Sequence, residues 1–232
     1  MKKLNRVQIK YLVTAAMLLD HIGWAFFATA SLSGQILHFV GRLTGPVMAY
    51  FLEEGYEHTR DPKKYAARLG VFALVSCVPY SLFESGKIFG MQQSVMFTLL
   101  LGFLAVWIWD KAPWSEGRKK AAVIGLCILS VIGDWPVMDV LWPFLLFRYR
   151  EDRERQWEVY LAVSVAAFAM SAAGWQPAWA GAFSAGVFLP YLLLRYGYSG
   201  EPGSRSAFHK WFFYLFYPAH LLLLWVLKTY VI

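Results

Sequence analysis

Residues 11–27 read YLVTAAMLLDHIGWAFF, an apolar run that approaches the roughly 20 residues needed to cross a bilayer as one helix. Similar runs recur along the chain, in which 58% of the 232 residues are apolar and only 16% are charged. An ordinary soluble domain carries about 25% charged residues, and the mean hydropathy here is +0.44. A water-soluble globule of this size cannot hide so much apolar surface, so the composition indicates an integral membrane protein.

The apolar runs predict an all-α fold, a polytopic membrane helix bundle of about nine spans that forms a single domain over residues 1–232. The predicted spans are 7–29, 36–56, 66–83, 92–109, 120–133, 136–147, 157–173, 178–195 and 209–229. The fifth and sixth are short for a bilayer, so residues 120–147 form either two full spans or a broken pair around Asp134. Lys10, Asp20 and His21 interrupt the first run, which favours an uncleaved span over a signal peptide.

The basic residues fall mainly on one side of these spans. Nineteen of the 22 lie before the first span or in the connections after the second, fourth, sixth and eighth: Lys2, Lys3, Arg6, Lys10, Arg60, Lys63, Lys64, Arg68, Lys111, Arg118, Lys119, Lys120, Arg148, Arg150, Arg153, Arg155, Arg195, Arg205 and Lys210. Lys87 and Lys228 lie on the other side, and Arg42 lies within a span. The positive-inside rule therefore predicts a multi-pass protein of the plasma or inner membrane, with its N-terminus in the cytoplasm and its C-terminus outside. The net charge of +7 reflects this topology, so we expect membrane lipid and no nucleic acid as a partner.

Asp20, His21 and Arg42 are ionisable side chains that interrupt the first two predicted spans at depth. Each costs about 3 kcal/mol to insert, so each calls for a structural or a functional reason. Asp20 and His21 form either a carboxylate–imidazole pair that joins helices or a site for proton transfer near neutral pH. Adjacent residues on a helix point about 100° apart, so Asp20 need not contact His21. Arg42 requires a carboxylate, a carbonyl or an anionic ligand, and Asp20 and Asp134 are the candidate partners.

Lys10 precedes His21 by eleven residues, which is close to three helical turns and places both on one stripe, about 16 Å apart. A cation at the mouth of the helix and an imidazole inside it suit a long ligand with a phosphorylated end and a reactive tip, such as coenzyme A. The alternative is a lysine that extends to the membrane surface near a helix start.

Further polar residues fall in two of the spans. Glu54 and His58 are four residues apart and share a face at the end of the second span, as a surface cap or as part of a site. The last span carries Lys210, Tyr214, Tyr217 and a second deep histidine, His220, whose alternative role is a hydrogen bond to the carbonyl of residue 214 that Pro218 leaves without a donor. The five histidines are not at metal-ligand spacing, and we expect no metal.

Short motifs in a consistent order from about residue 10 to residue 222 resemble the TraX family, whose namesake acetylates the N-terminus of a conjugative pilin. The motifs are Asp20-His21-Ile22-Gly23, Gly41-Arg42 with Pro46, Glu54-Gly55-Tyr56 with His58-Thr59-Arg60, Tyr65 with Arg68, Pro79, Gly133-Asp134-Trp135 and Tyr214-x-x-Tyr217-Pro218-x-His220. The family is similar to a larger group of membrane acyltransferases that carry an Arg or Lys, ten residues and then an essential His in the first span. Lys10 and His21 match that pattern.

The resemblance implies an acetyltransferase that passes an acetyl group from cytoplasmic acetyl-CoA to an amine or hydroxyl in or across the membrane. The acceptor would be a pilin-like N-terminus, another protein or peptide, a glycan or a lipid. In this reading His21 is a general base or a transient acyl carrier, Asp20 orients the imidazole network, and Arg42 stabilises developing negative charge. The CoA phosphates would be held by Lys10 with help from Arg68 or Lys210, and the acceptor would approach His21, Asp134 and His220 from outside.

Two other classes of protein fit the same residues. A small transporter or flippase would use the charges as a substrate or proton pathway. A non-catalytic assembly factor for a surface appendage would use them to join helices.

The distribution of basic residues leads to a test of orientation. In a variant without Cys77 and Cys127, single cysteines at Ser33 and Ser85 should react with an impermeant thiol reagent applied to intact cells. A cysteine at Ser115 should react only after the cells are broken, because it lies beside the basic residues. Labelling of Ser115→Cys in intact cells would reverse the predicted orientation.

Overall fold

The computed structural model describes residues 3–204 and 206–231, so Lys2 and Arg205 of the predicted basic side lie outside the described residues. All regular elements of the described ranges are helices. The described residues also form two isolated β-bridges, but no β-strand. The prediction of an all-α fold is confirmed. The α-helices are α1 (Arg6–Phe26), α2 (Leu32–Gly41), α3 (Thr44–Glu57), α4 (Pro62–Ser85), α5 (Val95–Lys111), α6 (Glu116–Leu129), α7 (Met138–Arg148), α8 (Arg153–Ala172), α9 (Leu189–Leu192) and α10 (Ala207–Tyr230).

Short 3₁₀ and π segments complete these elements. A 3₁₀ turn, Ser130–Ile132, follows α6, and α9 stands between a 3₁₀ helix, Ala178–Phe188, and a π-helical turn, Leu193–Gly197. The predicted eighth span, 178–195, is therefore helical with a mixed winding. The predicted fifth and sixth spans correspond to α6 with its 3₁₀ turn and to α7, which are two separate short helices.

The prediction of one continuous second span over 36–56 is wrong. The chain forms α2 from Leu32, breaks at Arg42 and Leu43, and starts α3 at Thr44. The cause lies in Pro46, which has no N–H to donate to the carbonyl of Arg42 four residues earlier. Instead, the backbone N–H of Leu43 donates to the carbonyl of Val40 at 3.1 Å, which tightens the last turn of α2.

Capping side chains define where two of the helices begin. Asn5 and Gln8 exchange hydrogen bonds of 3.0 Å between side chain and backbone at the start of α1. Asp61 accepts from the backbone N–H of Lys64 at 3.0 Å at the start of α4, and this hydrogen bond lowers the pKa of the Asp61 carboxyl.

By length and composition, three stretches within the described ranges are able to cross a membrane: Pro62–Ser85, Ala178–Gly197 and Ala207–Tyr230. This finding supports membrane association. Nine full spans, the inner membrane and the positions of the termini stay predictions.

The chain divides into two compact units, Met1–Val47 with Ser164–Ile232 and Met48–Val163. In the first unit, α1 packs against α2 and α10, and α2 packs against the 3₁₀ helix Ala178–Phe188. In the second unit, α5 packs against α4, α6 and α7. The prediction of a single domain over the whole chain stays a prediction.

The second unit combines apolar packing with buried hydrogen bonds, including one between α5 and α7. Thr98 of α5 donates to the carboxyl of Asp139 of α7 at 2.6 Å, and both side chains are fully buried. Phe103 and Trp142, also fully buried, belong to the same two helices. Gly102 lets the helices approach, because a Cβ there would lie 2.2 Å from the carbonyl oxygen of Asp139.

This close approach predicts that Gly102→Ala destabilises the protein. The added methyl group must displace the α7 backbone, and we expect a loss of about 2 kcal/mol in the free energy of unfolding. Gly125→Ala in α6 is the matched control, since nothing lies within 4 Å of its added Cβ and alanine favours a helix. Denaturant unfolding in detergent measures both variants, and equal stabilities would contradict the assigned α5–α7 packing.

Candidate functional site

The first unit contains a buried carboxylate whose two oxygens have different partners. Asp20 of α1 accepts from Nδ1 of His38 at 2.7 Å through Oδ1 and from Nη2 of Arg42 at 2.8 Å through Oδ2. The exposed fraction is 8% for Asp20 and 0% for His38. Of the two carboxylates predicted as partners of Arg42, Asp20 makes the ion pair. Because its oxygens are divided between two donors, Asp20 fixes both the end of α2 and the ring of His38.

The site analysis of the sequence missed His38. It lies four residues before Arg42, so both side chains project from one face of α2 toward Asp20. That spacing is a signal in the sequence, although it is a weak one without a known partner. The ring of His38 packs against Trp24 and Phe183 at centroid distances of 4.0 and 5.3 Å, which surrounds the ion pair with aromatic surface.

Two glycines make this arrangement possible. A Cβ on Gly41 would lie 2.3 Å from Cβ of Asp20, and one on Gly186 would lie 2.0 Å from the carbonyl oxygen of Phe39. Any larger residue would therefore separate α2 from α1 or from the 3₁₀ helix.

A pair of histidines joins α1 to α10. Nδ1 of His21 lies 3.0 Å from Nε2 of His220, and the ring centroids are 4.9 Å apart. Each ring also faces a backbone carbonyl of its own helix: Nδ1 of His21 lies 2.9 Å from the oxygen of Met17, and Nδ1 of His220 lies 2.9 Å from that of Phe216. Tyr217, which is 3% exposed, packs edge-on against both imidazoles.

This contact corrects one expectation about His220. The ring bonds to the carbonyl of Phe216 rather than to that of residue 214, which Pro218 leaves without its helical donor. Its second nitrogen contacts His21 directly, so the two histidines form one group rather than two separate sites.

Asp20 and His21 serve different faces of α1 although they are neighbours in sequence. Asp20 faces α2, where it meets His38 and Arg42. His21 faces α10, where it meets His220. The turn of about 100° between adjacent helical residues explains the separation.

Lys10 and Lys210 lie in the first turns of α1 and α10. Nζ of Lys10 is 5.0 Å above the ring of Phe213 of α10, and Nζ of Lys210 is 5.2 Å above Trp211. Between the same two helices, the hydroxyl of Tyr11 lies 2.8 Å from Nδ1 of His209, a contact that the sequence did not reveal. The α1–α10 interface thus carries a cation at one end and the histidine pair about three turns away.

The remaining predicted site residues are in the second unit, apart from Tyr214, which lies in α10. Arg68 stacks on Tyr65 at 5.2 Å, and His58 bonds to the backbone carbonyl of Glu54 at 2.8 Å rather than to its carboxylate. Asp134 is exposed between α6 and α7. Participation of Arg68, Glu54, His58 and Asp134 in one site with His21 stays a prediction. Within the described ranges, no group of three or more His, Cys, Asp or Glu side chains is arranged to hold a metal ion.

Comparison with known proteins supplies independent findings. The family model described as "TraX protein" matches residues 5–228. A protein of Dichelobacter nodosus, "Probable fimbrial assembly protein FimC, serogroup H1", is 30% identical over 236 residues, covering 97% of this chain and 96% of that protein. No solved structure matches the chain. The family match spans the positions of the Asp20 cluster and of the histidine pair.

The buried Asp20–Arg42 pair predicts strong thermodynamic coupling. Asp20→Asn removes the carboxylate that pairs with the part-buried guanidinium of Arg42, and Arg42→Gln removes the guanidinium from the buried carboxylate of Asp20, so each should cost about 3 kcal/mol of unfolding free energy. The double variant should cost clearly less than the sum, with a coupling above about 1 kcal/mol in a double-mutant cycle.

The exposed pair Glu116–Lys120, with a distance of 2.8 Å and side chains that are 64% and 63% exposed, supplies the control cycle. There we expect at most about 0.5 kcal/mol. Equal coupling in the two cycles would mean that Asp20 and Arg42 behave as solvated surface charges.

Proposed function

Because the chain belongs to the TraX family, we propose that it is a membrane acetyltransferase. The proposed reaction moves an acetyl group from cytoplasmic acetyl-CoA to an amine or hydroxyl of an acceptor in or across the membrane. The observation that carries the proposal is the buried His21–His220 pair, which lies on the α1–α10 interface in line with Lys10. A base at depth and a cation at the start of the same helix match the two ends of an acyl-CoA.

His21 takes the proton in the proposed reaction. The acceptor nitrogen or oxygen attacks the thioester carbonyl as its proton passes to the imidazole, and the bond between carbon and sulfur then breaks. The proton leaves His21 for the CoA sulfur, which restores the neutral imidazole and releases a thiol. In the alternative with an acyl carrier, the imidazole nitrogen attacks the thioester, and the bond between carbon and sulfur breaks to release CoA as a thiolate. The acceptor then takes the acetyl group from the imidazole, and the proton of the acceptor goes to the thiolate.

The Asp20 cluster supports this chemistry from the neighbouring face of α1. Arg42 carries a part-buried positive charge that is held in place by Asp20, and a fixed cation favours the developing oxyanion. His38 holds the other carboxylate oxygen, so the cluster cannot rearrange without loss of a buried hydrogen bond.

In this proposal a phosphate of CoA is a second partner of Lys10. The contact of Lys10 with the ring of Phe213 is a cation–π interaction worth about 1 kcal/mol, which a phosphate group can replace or supplement. Lys210 in the first turn of α10 supplies a further cation, with Arg68 as a predicted third.

The acceptor side of the proposal rests on aromatic surface at the other end of α1. Trp24 is 37% exposed, and its ring stacks near Trp175 at 6.3 Å, beside the His38–Asp20–Arg42 cluster. Rings of this kind bind both amines and sugars, which suits a peptide N-terminus or a glycan. The name of the Dichelobacter protein favours an acceptor connected with fimbriae or pili.

A non-catalytic role is the second candidate, because the same relative is named as an assembly protein. An assembly factor needs neither a thioester nor His21 as a base. A transporter would move its solute without consuming acetyl-CoA. Purified protein incubated with radiolabelled acetyl-CoA and a membrane extract separates these classes, since only the acetyltransferase transfers label to an acceptor.

In that assay, His21→Gln should abolish transfer and retain CoA binding, because it removes the base and leaves the start of α1 intact. Lys10→Ala should show the reverse pattern, with CoA affinity reduced about tenfold and a weaker dependence of binding on salt. Lys64→Ala is the matched control, since it removes an equally basic side chain, 81% exposed, from the first turn of another helix.

Transfer at the normal rate by His21→Gln would remove this residue from the chemistry. Equal CoA affinities of Lys10→Ala and Lys64→Ala would reduce Lys10 to a charge that orients the chain in the membrane.

A further inference from the structure

The hydrogen bonds of His220 determine which of its nitrogens carries the proton. Nδ1 lies 2.9 Å from the carbonyl oxygen of Phe216, and a carbonyl oxygen only accepts. Nδ1 of His220 is therefore the donor. A neutral imidazole has one N–H group, so Nε2 of His220 is a hydrogen-bond acceptor.

The same reasoning then assigns His21. Its Nδ1 lies 3.0 Å from Nε2 of His220 and 2.9 Å from the carbonyl oxygen of Met17, which are both acceptors. Nδ1 of His21 must donate, in a hydrogen bond shared between the two. The opposite assignment, with an Nε2–H of His220 donating to His21, would direct the lone pair of Nδ1 at the carbonyl of Met17. With Nδ1 of His21 as the donor, Nε2 of His21 carries the lone pair and is the basic nitrogen.

We infer that His220 is a positioning residue for His21, a role that rests on the proposed function. It accepts the Nδ1–H of His21 and keeps Nε2 as the nitrogen that takes the acceptor's proton. When Nε2 is protonated, the Nδ1–H bond to His220 becomes charge-assisted and therefore stronger. His220 thus stabilises the imidazolium of His21, which forms as the acetyl acceptor loses its proton. His220 itself releases no proton. The proton on Nε2 goes to the CoA sulfur as the thioester bond breaks.

The surroundings of His220 hold it in this role. Its ring stacks on Phe216 with a centroid distance of 4.9 Å and an interplanar angle of 14°, and Tyr217 packs against its edge. His220 is 4% exposed, so a change of ring orientation would require movement of both aromatic neighbours. Nε2 of His220, the nitrogen that accepts the hydrogen bond from His21, therefore keeps a fixed direction toward α1.

A simple packing contact between α1 and α10 is the rival interpretation, and two substitutions separate it from positioning. His220→Phe keeps a ring of similar size and removes the acceptor nitrogen. His220→Gln keeps an amide oxygen within reach of His21 and loses the ring. Positioning predicts that His220→Phe lowers kcat about a hundredfold with an unchanged KM for acetyl-CoA and an unchanged melting temperature. His220→Gln should then recover roughly tenfold of that loss, whereas packing alone predicts that Phe is the milder change.

A measurement independent of activity tests the proton assignment. In protein with ¹⁵N-labelled histidine, the signal of His21, identified by its loss in His21→Gln, should show a protonated Nδ1 and an unprotonated Nε2. In His220→Phe the Nδ1–H proton should move upfield, because only the carbonyl of Met17 still accepts it. A protonated Nε2 in the wild type, or an unchanged Nδ1–H signal in His220→Phe, would overturn the inference.

The two measurements keep the inference and the proposed function distinct. If the protein transfers no acetyl group while the NMR signals are as expected, the proposed function fails and the hydrogen-bond assignment holds. If transfer depends on His21 while His220→Phe has normal kcat, the proposed function holds and the positioning role of His220 is wrong.

Discussion

The carboxylate of Asp20 is the constraint on which the first unit depends. A charge buried at this depth must be neutralised and its lone pairs satisfied, and Asp20 meets both demands with one guanidinium and one imidazole from α2. These two bonds require α2 to end beside α1 and require a glycine at position 41. They also hold the end of α2 in place at Arg42, where Pro46 removes the next helical hydrogen bond.

In the proposed reaction, the fixed charges of Asp20 and Arg42 and the proton that His21 exchanges belong to different faces of α1. Each oxygen of Asp20 accepts from a donor near the end of α2, Oδ1 from His38 and Oδ2 from Arg42. His21 has a neutral partner on α10 instead. A neutral imidazole acceptor costs less to bury than a second carboxylate, because it needs no counter-charge in the resting state.

The sequence predicted those features that depend on local periodicity and failed where contacts join distant residues. Apolar runs located α1, α4 and α10, and the need to neutralise a buried charge named Asp20 as one of two candidate partners of Arg42. The break within 36–56 was missed because hydropathy does not register the missing N–H of Pro46. The His21–His220 contact joins residues 199 positions apart, and no spacing within one helix could reveal it. His38 was missed because one histidine in an apolar run has no visible partner.

The order of these contacts along α1 gives the proposed reaction its geometry. In the first turns, Lys10 and Tyr11 meet the start of α10, and three turns later His21 meets the same helix. Any ligand that follows this interface contacts a cation first and the basic nitrogen last, over about 16 Å. During transfer His21 becomes positive while the thioester oxygen becomes negative, so the two new charges arise together and offset each other. A neutral His220 behind His21 and a neutralised Asp20–Arg42 pair beside it leave the net charge of the site unchanged in the proposed transfer, which limits the electrostatic cost in a buried, low-dielectric site.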